Sequence, residues 1–113
     1  MKVIISQEQI DKMKSLIDKV GIDSLGIEPY RLIEMGVVEH YDGDLYLDNV
    51  PIKSLGELEY VGGALTIINC KQLSSFGKLR SVGGILFIRN CPLAELSDEE
   101  IRSQIEIKGS IYR

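Results

Sequence analysis

One hundred and thirteen residues, 44% hydrophobic and 27% charged, describe one ordinary globular domain able to bury a modest core without a disulfide staple. No apolar run approaches the roughly 18 residues of a membrane span. The opening Met1–Glu8 has too few apolar residues for a signal peptide, so a cytoplasmic protein with reduced Cys70 and Cys91 is expected. A net charge of −4 leaves no basic footprint for nucleic acid, and one His with two Cys furnishes no structural zinc site. No metal or other cofactor is implied.

Ser6 to Gln9 reads as a capping box, with Ser6 as N-cap. Ile10, Met13, Leu16, Ile17 and Val20 follow at helical spacing, and Gly21 is a stop signal. An amphipathic helix over 7–20 is expected. Pro29 in a first turn and Gly36 as a stop bracket a second helix, 29–35. Val37 to Tyr41 reads as a strand leading into the Asp42-Gly43 turn. Residues 1–40 form a helical cap with its lead-in strand, 41–96 the repeats, and 97–113 a closing helix and strand.

The repeat is the strongest signal in the chain. Leu45-Tyr46-Leu47-Asp48-Asn49 aligns with Leu65-Thr66-Ile67-Ile68-Asn69 and with Leu86-Phe87-Ile88-Arg89-Asn90. The first two units continue through Ser54-Leu55-Gly56 and Ser75-Phe76-Gly77 to Val61-Gly62-Gly63 and Val82-Gly83-Gly84. The alternating aliphatics predict a short strand with one buried face. The paired glycines are expected to supply positive φ for a tight turn. Asn49, Asn69 and Asn90 end each strand, where an Asn can bond the turn backbone and its copies can form a ladder. Leu55, Leu58, Val61, Phe76, Leu79 and Val82 bring the chain back along the opposite side. The third unit loses this return half. Ser97-Asp98-Glu99-Glu100 starts a helix there instead, with Ile101 and Ile105 turned inward, and Ile111–Arg113 adds a last strand.

This frame resembles leucine-rich repeats, in the short variant with V-G-G before each strand found in receptor L-domain-like repeats and in bacterial and bacteriophage proteins. The resemblance covers Tyr41 to Asn90. It implies an α+β repeat: a short leucine-rich-repeat-like solenoid with parallel strands, an N-terminal helical cap and a short C-terminal helix. It also implies binding rather than catalysis.

Outward strand positions are the expected partner-binding residues. Tyr46, Thr66, Phe87 and Tyr112 form one column, and Asp48, Ile68 and Arg89 the next. Aromatics beside an Arg are the residue types enriched at interface hot spots. Four strands at ~4.8 Å and three residues at ~3.3 Å make only about 140 Å² of flat sheet, against about 800 Å² per partner in a standard interface. Stable binding then recruits more surface. Residues 21–60 carry two basic and nine acidic side chains, enough to steer a basic partner. His40, the single imidazole, has no visible orienting partner and reads as a strand residue, so no catalytic residue is assigned. The expected function is a non-enzymatic protein-binding module, a binder or inhibitor of a host protein in a bacterial or phage setting. The alternative is an assembly protein that forms homodimers through its C-terminal edge strand.

Overall fold

The structure, a computed structural model, describes residues 7–20 and 26–113. It is an α+β fold with two four-stranded parallel sheets, neither of them closed. Helices α1 (Gln7–Val20) and α2 (Pro29–Glu34) precede strands β1 (His40–Tyr41), β2 (Leu45–Asp48), β3 (Tyr60–Val61), β4 (Leu65–Ile68), β5 (Ser81–Val82) and β6 (Leu86–Arg89). A 3₁₀ turn (Pro92–Glu95), helix α3 (Asp98–Gln104) and strands β7 (Glu106–Ile107) and β8 (Ile111–Tyr112) complete the chain. One sheet runs β1-β3-β5-β7 and the other β2-β4-β6-β8.

The repeat frame sets the register. Leu45 lies opposite Leu65, Leu65 opposite Leu86, and Leu86 opposite Ile111. The steps are 20, 21 and 25 residues, the last lengthened by α3. Leu45, Leu47, Leu65, Ile67, Leu86 and Ile88 are buried from the second sheet. Leu55, Leu58, Val61, Phe76, Leu79 and Val82 meet them from the return side. The pairing of Tyr60–Val61 with Ser81–Val82 into a sheet of their own goes beyond the expected return path.

The paired glycines serve a purpose other than the expected one. None of Gly62, Gly63, Gly83 and Gly84 has positive φ. They are required because successive turns stack backbone on backbone. A Cβ on Gly83 would lie 2.2 Å from the Gly62 carbonyl oxygen, and one on Gly62 would lie 2.4 Å from that of Asp42. Positive φ falls instead on Asn49, Asn69 and Asn90, at 56°, 56° and 54°, a conformation that Asn tolerates better than most residues.

The caps follow the expected plan with three differences. Ser6 and Gly21 lie outside the described residues, as does the side chain of Val20. In α1, Ile10, Met13 and Ile17 pack on the core, but Leu16 is 42% exposed. At 3.6 residues per turn Leu16 sits about 120° from Ile10, while Lys14 falls nearer the packed face and pairs with Glu39 at 2.7 Å. Helix α2 ends at Glu34, with Met35 as its C-cap. Val37 and Val38 are buried but unpaired as strand, because the Val37 N–H still donates to the Leu32 carbonyl at 3.3 Å. At the other end, Ser97 Oγ accepts from the Glu100 N–H at 3.1 Å, and Glu100 Oε1 accepts from the Ser97 N–H at 3.2 Å. This closed capping box presents Ile101 to the core, and Ile105 follows it as C-cap, also buried.

Two substitution pairs test this packing. Leu65→Ala should cost about 2–5 kcal/mol, a large share of a small domain's ~5–15, whereas Leu16→Ala should be nearly neutral. Urea unfolding of both variants reads the difference, and equal midpoints would mean that the strand faces are inverted. Gly83→Ala should lose about 1–3 kcal/mol or more through overpacking. Gly43→Ala, whose new Cβ meets nothing within 4 Å, should stay within about 0.5 kcal/mol of the parent.

Candidate functional site

Strand alternation sends the even-numbered side chains of β2 and β4 away from the core, together with Phe87 and Arg89 of β6. The parallel register then aligns them. Tyr46, Thr66, Phe87 and Tyr112 form one row across the four strands. Asp48, Ile68 and Arg89 form the next row. All seven expected residues therefore share one sheet face. Tyr46 is 63% exposed and Tyr112 51%, so the row is open to solvent at both ends. Thr66, Ile68 and Phe87 are half-buried between them, and Asp48 and Arg89 are exposed.

Local contacts stiffen this face. The Arg89 guanidinium lies over the Phe87 ring at 5.1 Å, a cation–π geometry. Its Nη2 also donates to the Arg113 carbonyl at 3.3 Å. Along the strand ends a side-chain ladder runs from Asn90 Nδ2 to Asn69 Oδ1 at 2.7 Å and from Asn69 Nδ2 to Asp48 Oδ1 at 3.4 Å. The ladder thus ends on Asp48 rather than on Asn49, and its side chains bond one another, not the turn backbone. Asn49 spends its special conformation on the turn alone.

The acidic segment divides into two groups. Glu39 pairs with Lys14 at 2.7 Å, Glu57 with Lys78 at 2.8 Å, and Glu59 with Arg80 at 3.7 Å. The hydrogen bond from Lys14 holds the Glu39 carboxyl below its ordinary range, and the bond to Glu57 raises Lys78 above its own. Water screens these exposed pairs, so they add little stability. Asp42, Asp44 and Asp48 have no cationic partner among the described residues. Their charge remains uncompensated beside β2. The sequence shows nine acids in one stretch, and only the fold separates the paired from the unpaired.

Elsewhere the chemistry is sparse. His40 is exposed, with its ring edge against Tyr60 at 5.9 Å and 63°. Among the described residues no cluster of three or more His, Cys, Asp and Glu is placed to hold a metal. No helix among them is long and apolar enough to cross a membrane. Cys70 and Cys91 are free and buried, at 0% and 8% exposure. The Cys70 thiol donates to the carbonyls of Ile68 and Leu47 at 3.4 and 3.5 Å. Burial pushes the Cys91 thiol up, with a smaller upward push from Cys70.

Two arginines escaped the sequence reading. Arg102 Nη1 donates to the Ile107 carbonyl at 2.8 Å, and its Nη2 to that of Gly109 at 2.9 Å. Arg113 donates to the carbonyls of Ala94 and Leu96 and pairs with Asp98 at 2.8 Å. A signal for the second was present. Arg113 occupies the slot held by Leu47, Ile67 and Ile88 in the other units, where an aliphatic side chain belongs. No family model, curated protein or solved structure matches this chain.

The cysteines yield a direct test. Because both thiols are buried and burial disfavours the Cys91 thiolate, a soluble thiol reagent at pH 8 should label neither residue faster than the protein unfolds. Both should react at once in denaturant. Rapid labelling of native protein, or a melting temperature that falls on adding reductant, would show that the thiols are not buried and reduced.

Proposed function

We propose that this chain is a non-enzymatic protein-interaction module, a leucine-rich-repeat-like solenoid that binds its partner on the outer face of the β2-β4-β6-β8 sheet. The supporting observation is the row Tyr46–Thr66–Phe87–Tyr112, in which exposed Tyr46 and Tyr112 flank half-buried Thr66 and Phe87 across a hydrogen-bonded sheet. A rigid platform loses little conformational freedom on binding, so aromatic contact area converts efficiently into affinity. Arg89, pre-positioned on Phe87, adds a cation with few rotamers left to lose. The repeat style, similar to that of bacterial and phage arrays, favours an acidic binder or inhibitor of a host protein.

Assembly through the C-terminal edge meets a physical obstacle. A further strand on β8 would lie beside Arg113, an exposed side chain whose guanidinium bonds Ala94, Leu96 and Asp98. A charged side chain beside an edge strand is a known guard against edge pairing. This contact favours the binder over the self-assembling protein.

Affinity purification from the source cell supplies the partner for the decisive measurement. Tyr46→Ala combined with Phe87→Ala should leave the circular dichroism and melting temperature nearly unchanged and weaken the partner's Kd about 30-fold, the loss of roughly one hot spot. A folded double variant that binds with unchanged Kd would remove this face as the site.

A further inference from the structure

The two sheets have four outer strands, and their surroundings differ. On β7, the Glu106 and Lys108 N–H groups bond inward to β5, and Arg102 takes the outward-facing Ile107 carbonyl. Strand β8 is two residues long, and the exposed Arg113 after it bonds the Ala94 and Leu96 carbonyls. Strand β1 is two residues long, and α1 is tied to the residue before it by the Lys14–Glu39 pair. Strand β2 is different. The Leu45 and Asn49 N–H groups donate to Ala64 and Ile68 of the β4 side, each at 2.9 Å. Alternate residues of an extended strand turn their backbone groups to opposite sides, so Tyr46 and Asp48 present theirs to the open edge. No backbone or side-chain partner meets them among the described residues.

The side chains beside this edge define what fits it. Tyr46 and Asp48 lie on the outer face of β2, and the exposed Asp44 directly precedes the strand, giving the order acid, aromatic, acid. Neither acid has a cationic partner, although Asp44 Oδ1 also accepts from the Ala64 N–H at 2.8 Å. An extended segment laid beside β2 would place every second side chain next to this trio. Cross-strand opposite charges attract and like charges repel.

We propose that β2 is a strand-addition site for an extended basic segment of a partner protein, with basic residues flanking an apolar one at alternate positions. This rests on the protein-binding reading above and supplies the area that the small sheet face lacks. The added strand joins the backbone ladder through Tyr46 and Asp48, and the charges set its register. Strand β2, with four residues, offers a longer ladder than the two-residue outer strands β1, β7 and β8.

The test uses the whole chain and a blocked peptide, Thr-Lys-Thr-Val-Thr-Lys-Thr, titrated in the millimolar range with amide shifts as the readout. The largest shifts are expected at Asp44, Tyr46 and Asp48. Affinity should fall several-fold as salt screens the charges, and the peptide with Glu in place of Lys should bind about tenfold more weakly. Tyr46→Pro removes the outward N–H and should weaken binding about tenfold beyond Tyr46→Ala, since proline is accepted on a free edge. If Tyr46→Pro does not fold, Asp48→Lys carries the test with a similar loss expected. Phe87→Ala, two strands away, should leave the peptide affinity unchanged. Shifts centred on Thr66 and Phe87, or an equal loss in Phe87→Ala, would place the peptide across the face and overturn the edge site while leaving the face reading intact. Absence of shifts at Tyr46 and Asp48, or equal binding of the acidic peptide, would also overturn it. Failure of the face reading shows separately, as an unchanged partner Kd in the Tyr46 and Phe87 double variant.

Discussion

The parallel stacking of equivalent strands is the constraint on which the rest of the structure depends. Leu45, Leu65, Leu86 and Ile111 lie in consecutive register, so every side chain in a unit meets its counterpart in the next. A strand of four residues cannot bury two aliphatics alone. Stacked strands bury them against each other, and the return segments with Leu58, Leu79 and their neighbours close the other side. Stacking also brings backbones within contact distance. That excludes a Cβ at Gly62 and Gly83, where it would meet a carbonyl oxygen. The glycine pairs are thus a consequence of the stacking and not an independent turn signal.

The same register that builds the core builds the outer face. Inward positions repeat as aliphatics because each must fit the same slot. Outward positions carry no such demand and differ from unit to unit: Tyr46, Thr66, Phe87 and Tyr112 in one row, Asp48, Ile68 and Arg89 in the other. The proposed partner-binding reading rests on this variation across a hydrogen-bonded sheet. Contacts such as Arg89 on Phe87 and the Asp48–Asn69–Asn90 ladder hold the variable side chains in place without burying them. The face is therefore ordered but still exposed.

Open parallel sheets have edges, and edges invite unwanted pairing. Arg102 meets this liability on β7 by donating to the Ile107 carbonyl, while Arg113 ties the chain end to the 3₁₀ turn through Ala94 and Leu96. Helix α1 lies at the opposite side and is anchored through Ile10, Met13, Ile17 and the Lys14–Glu39 pair. The acids of residues 21–60 are sorted by this arrangement. Those on the return side find lysine or arginine one unit away, at Glu57–Lys78 and Glu59–Arg80. Those beside β2 meet Ala64 and Ile68 in the next unit, which carry no cation.

By itself the sequence determined strands β2, β4, β6 and β8, the inward residues of the repeats, the helices and the composition of the outer rows, but not the second sheet of β1, β3, β5 and β7. These follow from period-two and helical patterning and from a repeat that states the register outright, since equivalent positions must stack. The closing helix was equally legible, because Ser97 and Glu100 cap locally. Tertiary structure alone decided the rest. It made Gly62 and Gly83 sites of backbone contact and gave positive φ to Asn49, Asn69 and Asn90. It turned Leu16 outward and Lys14 toward Glu39. It also chose which acids are paired and which strand edges are guarded. Each of these depends on distances between units about twenty residues apart, and no local pattern encodes how closely two such units approach.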